Sequence, residues 1–322
     1  MKLKSKDEDT KYEKASDKLN EIIEETGKII VGQEDILEKT LIAIICDGNV
    51  LLESNPGLGK TKMISTLSQV IGLDFSRIQS TPDLMPSDIT GTHIINEEDD
   101  GSKEFVFQKG PIFANMILAD EINRATPKTQ SALLEAMQEK QVTAGNQTYE
   151  LEKPFFLMAT QNPIDQEGTY PLPEAQQDRF MMKLKLDYPE EKEEHEIVDR
   201  FTDEMNYEPG LEQVISQPSL LKLQEFTHKV PIADDIREKA VKTVSKTREH
   251  QDLEFGASPR ASIHLVLAAK GKALIERRNY VSEQDIKDMA IPVLRHRIGL
   301  NFKAEKQGKT PEEVIQQIKE GV

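Results

Sequence analysis

Residues 53–62 read Glu53-Ser54-Asn55-Pro56-Gly57-Leu58-Gly59-Lys60-Thr61-Lys62. This is one residue away from the phosphate-binding pattern G-x-x-x-x-G-K-[ST], with Ser54 where the first glycine belongs. Upstream stands "NVLLE", a short apolar strand, and downstream "KTKMISTLSQVIG", a helical pattern closed by Gly72. Strand, glycine-rich loop, helix is the order a phosphate loop needs. In that setting the loop of Asn55, Pro56, Gly57, Leu58 and Gly59, with the helix start up to Lys62, would cradle phosphates through its backbone N–H groups, Pro56 shaping the turn without donating. Lys60 would reach the β- and γ-phosphates, and Thr61 would ligate Mg²⁺. Ser54, at the loop entrance, is compatible with this if its φ stays negative. A Gly-Lys-Thr turn standing alone can also be a surface turn, so other segments have to decide.

Three do. "NMILADEIN" is an apolar strand ending in two acids, as a Walker B element does. Asp120 would hold Mg²⁺ through water and Glu121 would polarise the attacking water. "FFLMATQNP" ends a further strand at Asn162, placed to touch a γ-phosphate. "YPLPEAQQDRF" offers Arg179 just before the next strand, a candidate finger for a neighbour's ATP, and "GASPRAS" sets Arg260 at the start of a later helix, from which it could reach back to the phosphates.

Composition narrows the class. The chain has 322 residues, 37% hydrophobic and 30% charged, with a net charge of −16. Duplex-DNA binders carry the opposite balance, so nucleic acid is a poor partner. Cys46, the single cysteine, sits in "LIAIIC" and reads as a buried small hydrophobe. The charged N-terminus lacks an apolar signal core, and no apolar run is long enough to span a membrane. A soluble, cytoplasmic protein is the expectation. The six histidines show no metal-ligand spacing.

Apolar runs alternating with helical patterns predict a doubly wound α/β domain. Residues 1–15 read as a solvated tail. A helix is expected over "SDKLNEIIEETGKII", with Ser16 or Asp17 as its N-cap. The α/β core would run over 16–200, interrupted by two hairpins, "THIINEEDDGSKEFVFQKG" and "QVTAGNQTYEL". The "EEDD" of the first reads as a solvated tip. A smaller, all-helical domain would cover 201–322, and the basic "ERRNY" and "LRHRIGL" read as its surface or as a subunit contact.

The order of "VGQ", "NPGLGKT", "ILADEINRA", "ATQNP", "LPEAQQDRF" and "GASPRA" resembles the MoxR family of AAA+ ATPases, over roughly residues 16–300. The resemblance implies a five-stranded P-loop core with a helical lid, ATP and Mg²⁺ as ligands, and assembly into a homo-oligomeric ring, a hexamer. It implies that Gly32 and Gln33 lie near the adenine, that Asn162 is sensor 1, Arg179 the arginine finger and Arg260 sensor 2. It assigns the hairpins to the helix-2 and pre-sensor-1 inserts, which usually face the pore. The implied activity is ATP hydrolysis driving chaperone-like remodelling, often beside a protein with a von Willebrand factor A domain. Alternatives are a metal-chelatase ATPase subunit, a DNA-directed motor and a non-hydrolysing scaffold. Ser54 departs from the loop pattern, and Gln177 stands where leucine is common beside the finger.

Overall fold

The computed structural model describes residues 6–97, 103–145, 147–163, 168–202, 207 and 209–321. Most of the acidic "EEDD" tip and the turn residue Asn146 lie outside them. The core elements are α1 (Lys6–Gly27), α2 (Glu34–Ile45), β1 (Val50–Ser54), α3 (Lys60–Ile71), β2 (Phe75–Gln79) and α4 (Pro86–Thr90). The first hairpin is β3 (Gly91–Glu97) with β4 (Lys103–Lys109). Then come β5 (Met116–Asp120), α5 (Pro127–Glu139), the second hairpin β6 (Gln141–Ala144) with β7 (Gln147–Glu150), β8 (Phe156–Gln161), α6 (Glu174–Gln177) and β9 (Met182–Leu186). The rest is α7 (Glu191–Thr202), α8 (Gln217–His228), α9 (Asp234–Thr247), β10 (Leu253–Phe255), α10 (Pro259–Ile275), α11 (Glu283–Leu294), β11 (Gly299–Leu300), α12 (Phe302–Lys306) and α13 (Pro311–Glu320).

Five strands form one parallel sheet in the order β2-β5-β8-β1-β9. All five residues of β5 are buried, as are the first five of β8. That is the signature of strands covered on both faces. Because strand side chains alternate, the two faces feed separate cores. Leu52, Leu118, Met158 and Leu184 join one, with α1 to α3 and the helices α8 to α11. Leu51, Ile117, Ala119 and Leu157 join the other, with α4 and α5. The C-terminal helices therefore pack onto the sheet's own core through a continuous apolar cluster. They are helical apart from the short antiparallel pair β10–β11, which the helical pattern does not announce.

The N-terminus departs from expectation. Residues 6–15 are helical, the first turns of α1, and while Thr10, Lys11, Glu13 and Lys14 are exposed, Tyr12 is buried with its ring 4.4 Å from that of Phe226 in α8. Ser16 does not cap the helix. It is buried mid-helix and donates to the Leu274 carbonyl of α10. A charged local sequence gave no sign of this, because the apolar partners lie more than two hundred residues away.

The hairpins form as expected and touch each other. Phe107 of β4 stacks on Tyr149 of β7 with centroids 4.1 Å apart and an interplanar angle of 12°. Beyond that contact, Ile95 and Phe105 face each other across the first hairpin and are exposed.

Candidate nucleotide site

At the C-terminal edge of the sheet, β1 runs into the loop and the loop into α3. Gly57 and Gly59 have φ of +84° and +72°, which is why side-chain-bearing residues are disfavoured there. Apart from adjacent residues of the chain, no atom of the described residues lies within 4 Å of where a Cβ would stand at either, so the loop is open in front of both glycines. Gly59 is the N-cap of α3 and makes no side-chain cap bond, which leaves the first-turn N–H groups pointing outward. Ser54 is buried, ends β1 and is absent from the residues with positive φ, so the serine needs no glycine conformation. Its hydroxyl has no hydrogen-bond partner among the described residues.

Lys60 is buried, yet its ammonium finds only the Asn55 carbonyl at 3.4 Å and Asp120 Oδ1 at 3.9 Å. Asp120 closes β5. The β5–β8 register sets Ala119 beside Ala159 and so brings Thr160 next to the acids. The Thr160 hydroxyl donates to Asp120 Oδ1 at 2.7 Å and accepts from the Glu121 N–H at 2.8 Å. On the other side Gln79 is in register with Asp120, and Arg77 of the same strand pairs with its carboxylate. Glu121 has a left-handed backbone, φ +53°, costly for a non-glycine residue. Its carboxylate accepts from the Gln79 amide at 3.2 Å and lies 3.3 Å from Arg124 Nε. Thr61 follows Lys60 in the first turn of α3, and Asn162 follows β8 at the same edge.

Beside the loop is a pocket of about 240 Å³ whose walls include Ile29, Val31, Gln33, Leu58 and Phe201. Gln33 donates to the Leu58 carbonyl at 2.9 Å, and its buried Oε1 has no partner. Gly32 has φ +70° and a Cβ there would meet the Glu193 carboxylate at 2.5 Å. An apolar slot with one idle acceptor fits a purine carrying an exocyclic amine, and an under-partnered buried ammonium fits phosphate. Among the described residues no cluster of His, Cys, Asp or Glu could hold a metal by itself. A divalent ion at Thr61 and Asp120 would need the nucleotide's oxygens to complete its shell.

Arg179 and Arg260 lie elsewhere. Val50 pairs with Met182 and Ser54 with Leu186, so the residues before β9 sit at the N-terminal edge of the sheet. At ~3.3 Å per residue, the strand alone puts Arg179 roughly 13 Å or more from the loop. Its half-buried side chain makes no hydrogen bond or ion pair among the described residues. Arg260 does not reach back toward the loop. It is drawn to Asp178, 3.5 Å away, where Ser258 also donates to the carboxylate. The basic "LRHRIGL" is not surface either: His296 and Arg297 are buried. Arg297 donates to Asp178 Oδ1 at 2.9 Å, to the Asp178 and Met181 carbonyls at 3.0 and 3.1 Å, and to His264 Nδ1 at 2.7 Å.

Comparison with known proteins agrees with this architecture. Residues 49–182 match the ATPase family associated with various cellular activities (AAA), and residues 245–318 match the AAA lid domain. The chain is 44% identical over 309 residues to chaperone MoxR1 of Mycobacterium tuberculosis, covering 93% of this chain and 80% of that protein. It is 45% identical to YeaC, an uncharacterized protein of Bacillus subtilis, over 94% of both. The chain belongs to the MoxR family of AAA+ ATPases. A crystal structure from Cytophaga hutchinsonii, provisionally described as an ATPase, superposes with a TM-score of 0.92 at 44% identity, covering 98% of each chain.

For this MoxR-family chain the electrostatics separate the two edges of the sheet. Burial works against ionisation of Asp120, but the hydrogen bonds from Thr160 and Arg77 and the charge of Lys60 outweigh it and hold the carboxyl below its usual range. At the other edge, burial and then the charges of Arg297 and Arg260 push His264 down to about 3, so it is neutral and free to accept from Arg297. Burial, as the first cause, also keeps His296 neutral. Sequence reading missed Gln79, Arg77 and Thr160, which only strand register brings to the acids. It missed Arg297 as well, whose burial no local pattern marks. Among the described residues no helix is long and apolar enough to cross a membrane.

Proposed function

We propose that this chain hydrolyses ATP within a closed ring of its own copies, a hexamer, and uses the turnover to remodel or activate a protein partner. The chaperone in the name of its Mycobacterium tuberculosis relative supports the second half of that reading. A protein with a von Willebrand factor A domain is the expected partner class, and nucleic acid is not expected. Residues 16–200 act as the ATPase core, with α1 extending back to Lys6, and residues 201–322 as the lid.

Bound Mg²⁺–ATP would supply an electrophilic γ-phosphoryl group. Lys60 and the backbone N–H groups of Gly57 to Thr61 hold the phosphates, with Asn55 and Pro56 shaping the loop, and Thr61 and Asp120 hold the ion. Gln33 offers its idle acceptor to the base, beside Gly32, and Lys62 lines the same pocket. Glu121, once free of Gln79 and Arg124, takes a hydrogen bond from the attacking water, and Asn162 helps place it. Water adds to phosphorus as ADP leaves. Arg179, joined by Arg260 on the same edge, stabilises the charge in the neighbour's site.

The observation that carries this reading is the separation of Arg179 from Lys60 by the length of the sheet, with no partner for Arg179 among the described residues. Mixing tests it. Arg179→Ala should bind ATP normally and lose about 10³–10⁵ in turnover, and Glu121→Gln should be inactive because it cannot align water. In an equimolar mixture, roughly a quarter of head-to-tail interfaces carry an intact Glu121 and an intact Arg179, so activity returns. Loss of ATP binding in Arg179→Ala, with no rescue on mixing, would place the arginine in its own subunit's fold. DNA affinity at physiological salt should be no tighter than the ~10⁻⁴–10⁻⁶ M of non-specific binding.

A further inference from the structure

Arg179 is flanked by two residues whose carbonyls are held by the same buried side chain. The Arg297 guanidinium, which follows α11 in the lid, donates to the carbonyls of Asp178 and Phe180 on either side of Arg179, and to Met181 one residue further on. It also donates to the Asp178 carboxylate at 2.9 Å. That carboxylate in turn accepts from Ser258 and pairs with Arg260. One lid arginine thus fastens the backbone that carries Arg179 and the acid that orients Arg260. Arg297 is 4% exposed and presents a planar fork of donors that a lysine ammonium does not reproduce. His264, neutral, takes a further N–H, so the guanidinium is satisfied all round and its direction is fixed.

We propose that Arg297 and Asp178 are positioning residues for the trans-acting arginines: they present Arg179 and Arg260 to the neighbouring subunit's nucleotide and tie that presentation to the placement of the lid. The proposal rests on the trans assignment of Arg179 made above. Neither residue touches the nucleotide of its own subunit, so their loss should impair the neighbour's site and leave their own competent.

That asymmetry is the test. Arg297→Lys keeps the positive charge and gives up the fork, and Asp178→Asn keeps the shape and gives up the charge. Each should lower kcat by about 10²-fold, the size of effect that ~1 Å of misplacement produces, while the KM for ATP stays within about twofold of wild type. Each is then mixed with an equal amount of Glu121→Gln, which is itself inactive but carries intact Arg179, Arg260, Arg297 and Asp178. Turnover should recover to about a quarter of wild type, because the Glu121→Gln subunits lend their arginines to competent neighbours. Arg179→Ala mixed with Glu121→Gln runs alongside. If Arg179→Ala is rescued and the two positioning variants are not, the proposal is wrong and the trans reading survives. If no mixture is rescued, the trans reading fails and takes the proposal with it. Unchanged kcat in both variants, or a raised KM with kcat intact, also overturns it. Should Arg297→Lys not fold, Asp178→Asn, whose side chain is partly exposed, decides the matter.

Discussion

The two edges of the central sheet are built on opposite principles. At the C-terminal edge, polar groups are left wanting: Lys60 has only long contacts, and Gln33 Oε1 and Ser54 Oγ are buried without partners. At the N-terminal edge the Arg297 guanidinium is surrounded by acceptors. A buried polar group without a partner costs about 1–3 kcal/mol. Around the loop such groups border an open pocket, where a ligand can satisfy them. At the N-terminal edge, the joint with the lid, the charged Arg297 is satisfied by protein acceptors, although His296 Nδ1 and Gln176 Oε1 are buried there without partners among the described residues.

Breaking the open edge should have the largest effect. Lys60→Ala should abolish saturable ATP binding, measured by titration calorimetry, while the unliganded protein melts no lower than wild type, since the ammonium has little to lose. ATP at about 100 times its Kd should stabilise the wild type by roughly 2.7 kcal/mol and the variant not at all. Breaking the joint should do the reverse. Arg297→Met takes a donor from the Asp178 carboxylate and from four carbonyls, those of Asp178, Phe180, Met181 and Val293, and should cost about 3–5 kcal/mol in denaturant unfolding, typical for removing one member of a buried pair. A loss of less than ~1 kcal/mol would mean the junction is far better hydrated than its burial indicates.

Acid sharpens the contrast. His264 and His296 are held neutral when folded, with pKa values below the ordinary value of about 6.5. The unfolded chain therefore binds more protons below that pH, and stability should decline as pH falls from about 6.5 towards 5. The joint pays nothing above this window. His264→Gln, which keeps an acceptor, should flatten the decline; an identical slope in both proteins would show that the histidines do not carry it. Smaller still is Gly59→Ala, whose φ of +72° should cost about 1–2 kcal/mol through backbone strain alone, since a Cβ there meets nothing within 4 Å. Smallest is Ser54→Ala. Removing a buried hydroxyl without a partner should leave stability and ATP affinity within about 0.5 kcal/mol of wild type, or slightly improve stability. A large loss of affinity would give that hydroxyl a role in nucleotide binding.

Much of the open edge was legible before any coordinates, and little of the joint was. Asp120, Glu121 and Asn162 end or follow short apolar runs and Lys60 follows a glycine-rich loop, and both kinds of signal announce themselves locally. Pro127 at the start of α5 and Gly72 at the end of α3 punctuate the chain in the same local way. The tail before Ser16 misled for the converse reason. Its charged residues say solvent, and only Phe226 gives Tyr12 somewhere to go. The "LRHRIGL" stretch misled likewise, since a run of basic residues normally marks a surface.

The sequence by itself determined the elements, their alternation and the identity of the phosphate loop, because these depend on backbone preferences and hydrophobic period within a few residues. It left the tolerance of serine at position 54 conditional on a negative φ, which the structure supplies, as it supplies the positive φ of Gly57 and Gly59. Tertiary structure alone decided the strand order β2-β5-β8-β1-β9, which sets Gln79 and Thr160 on either side of the acids. It alone decided that Arg260 pairs with Asp178 instead of turning to the loop, and that Arg297 meets Asp178 across 119 positions of sequence. Such contacts exist only once two separate faces have packed and excluded water, and that packing has no trace in the residues on either side.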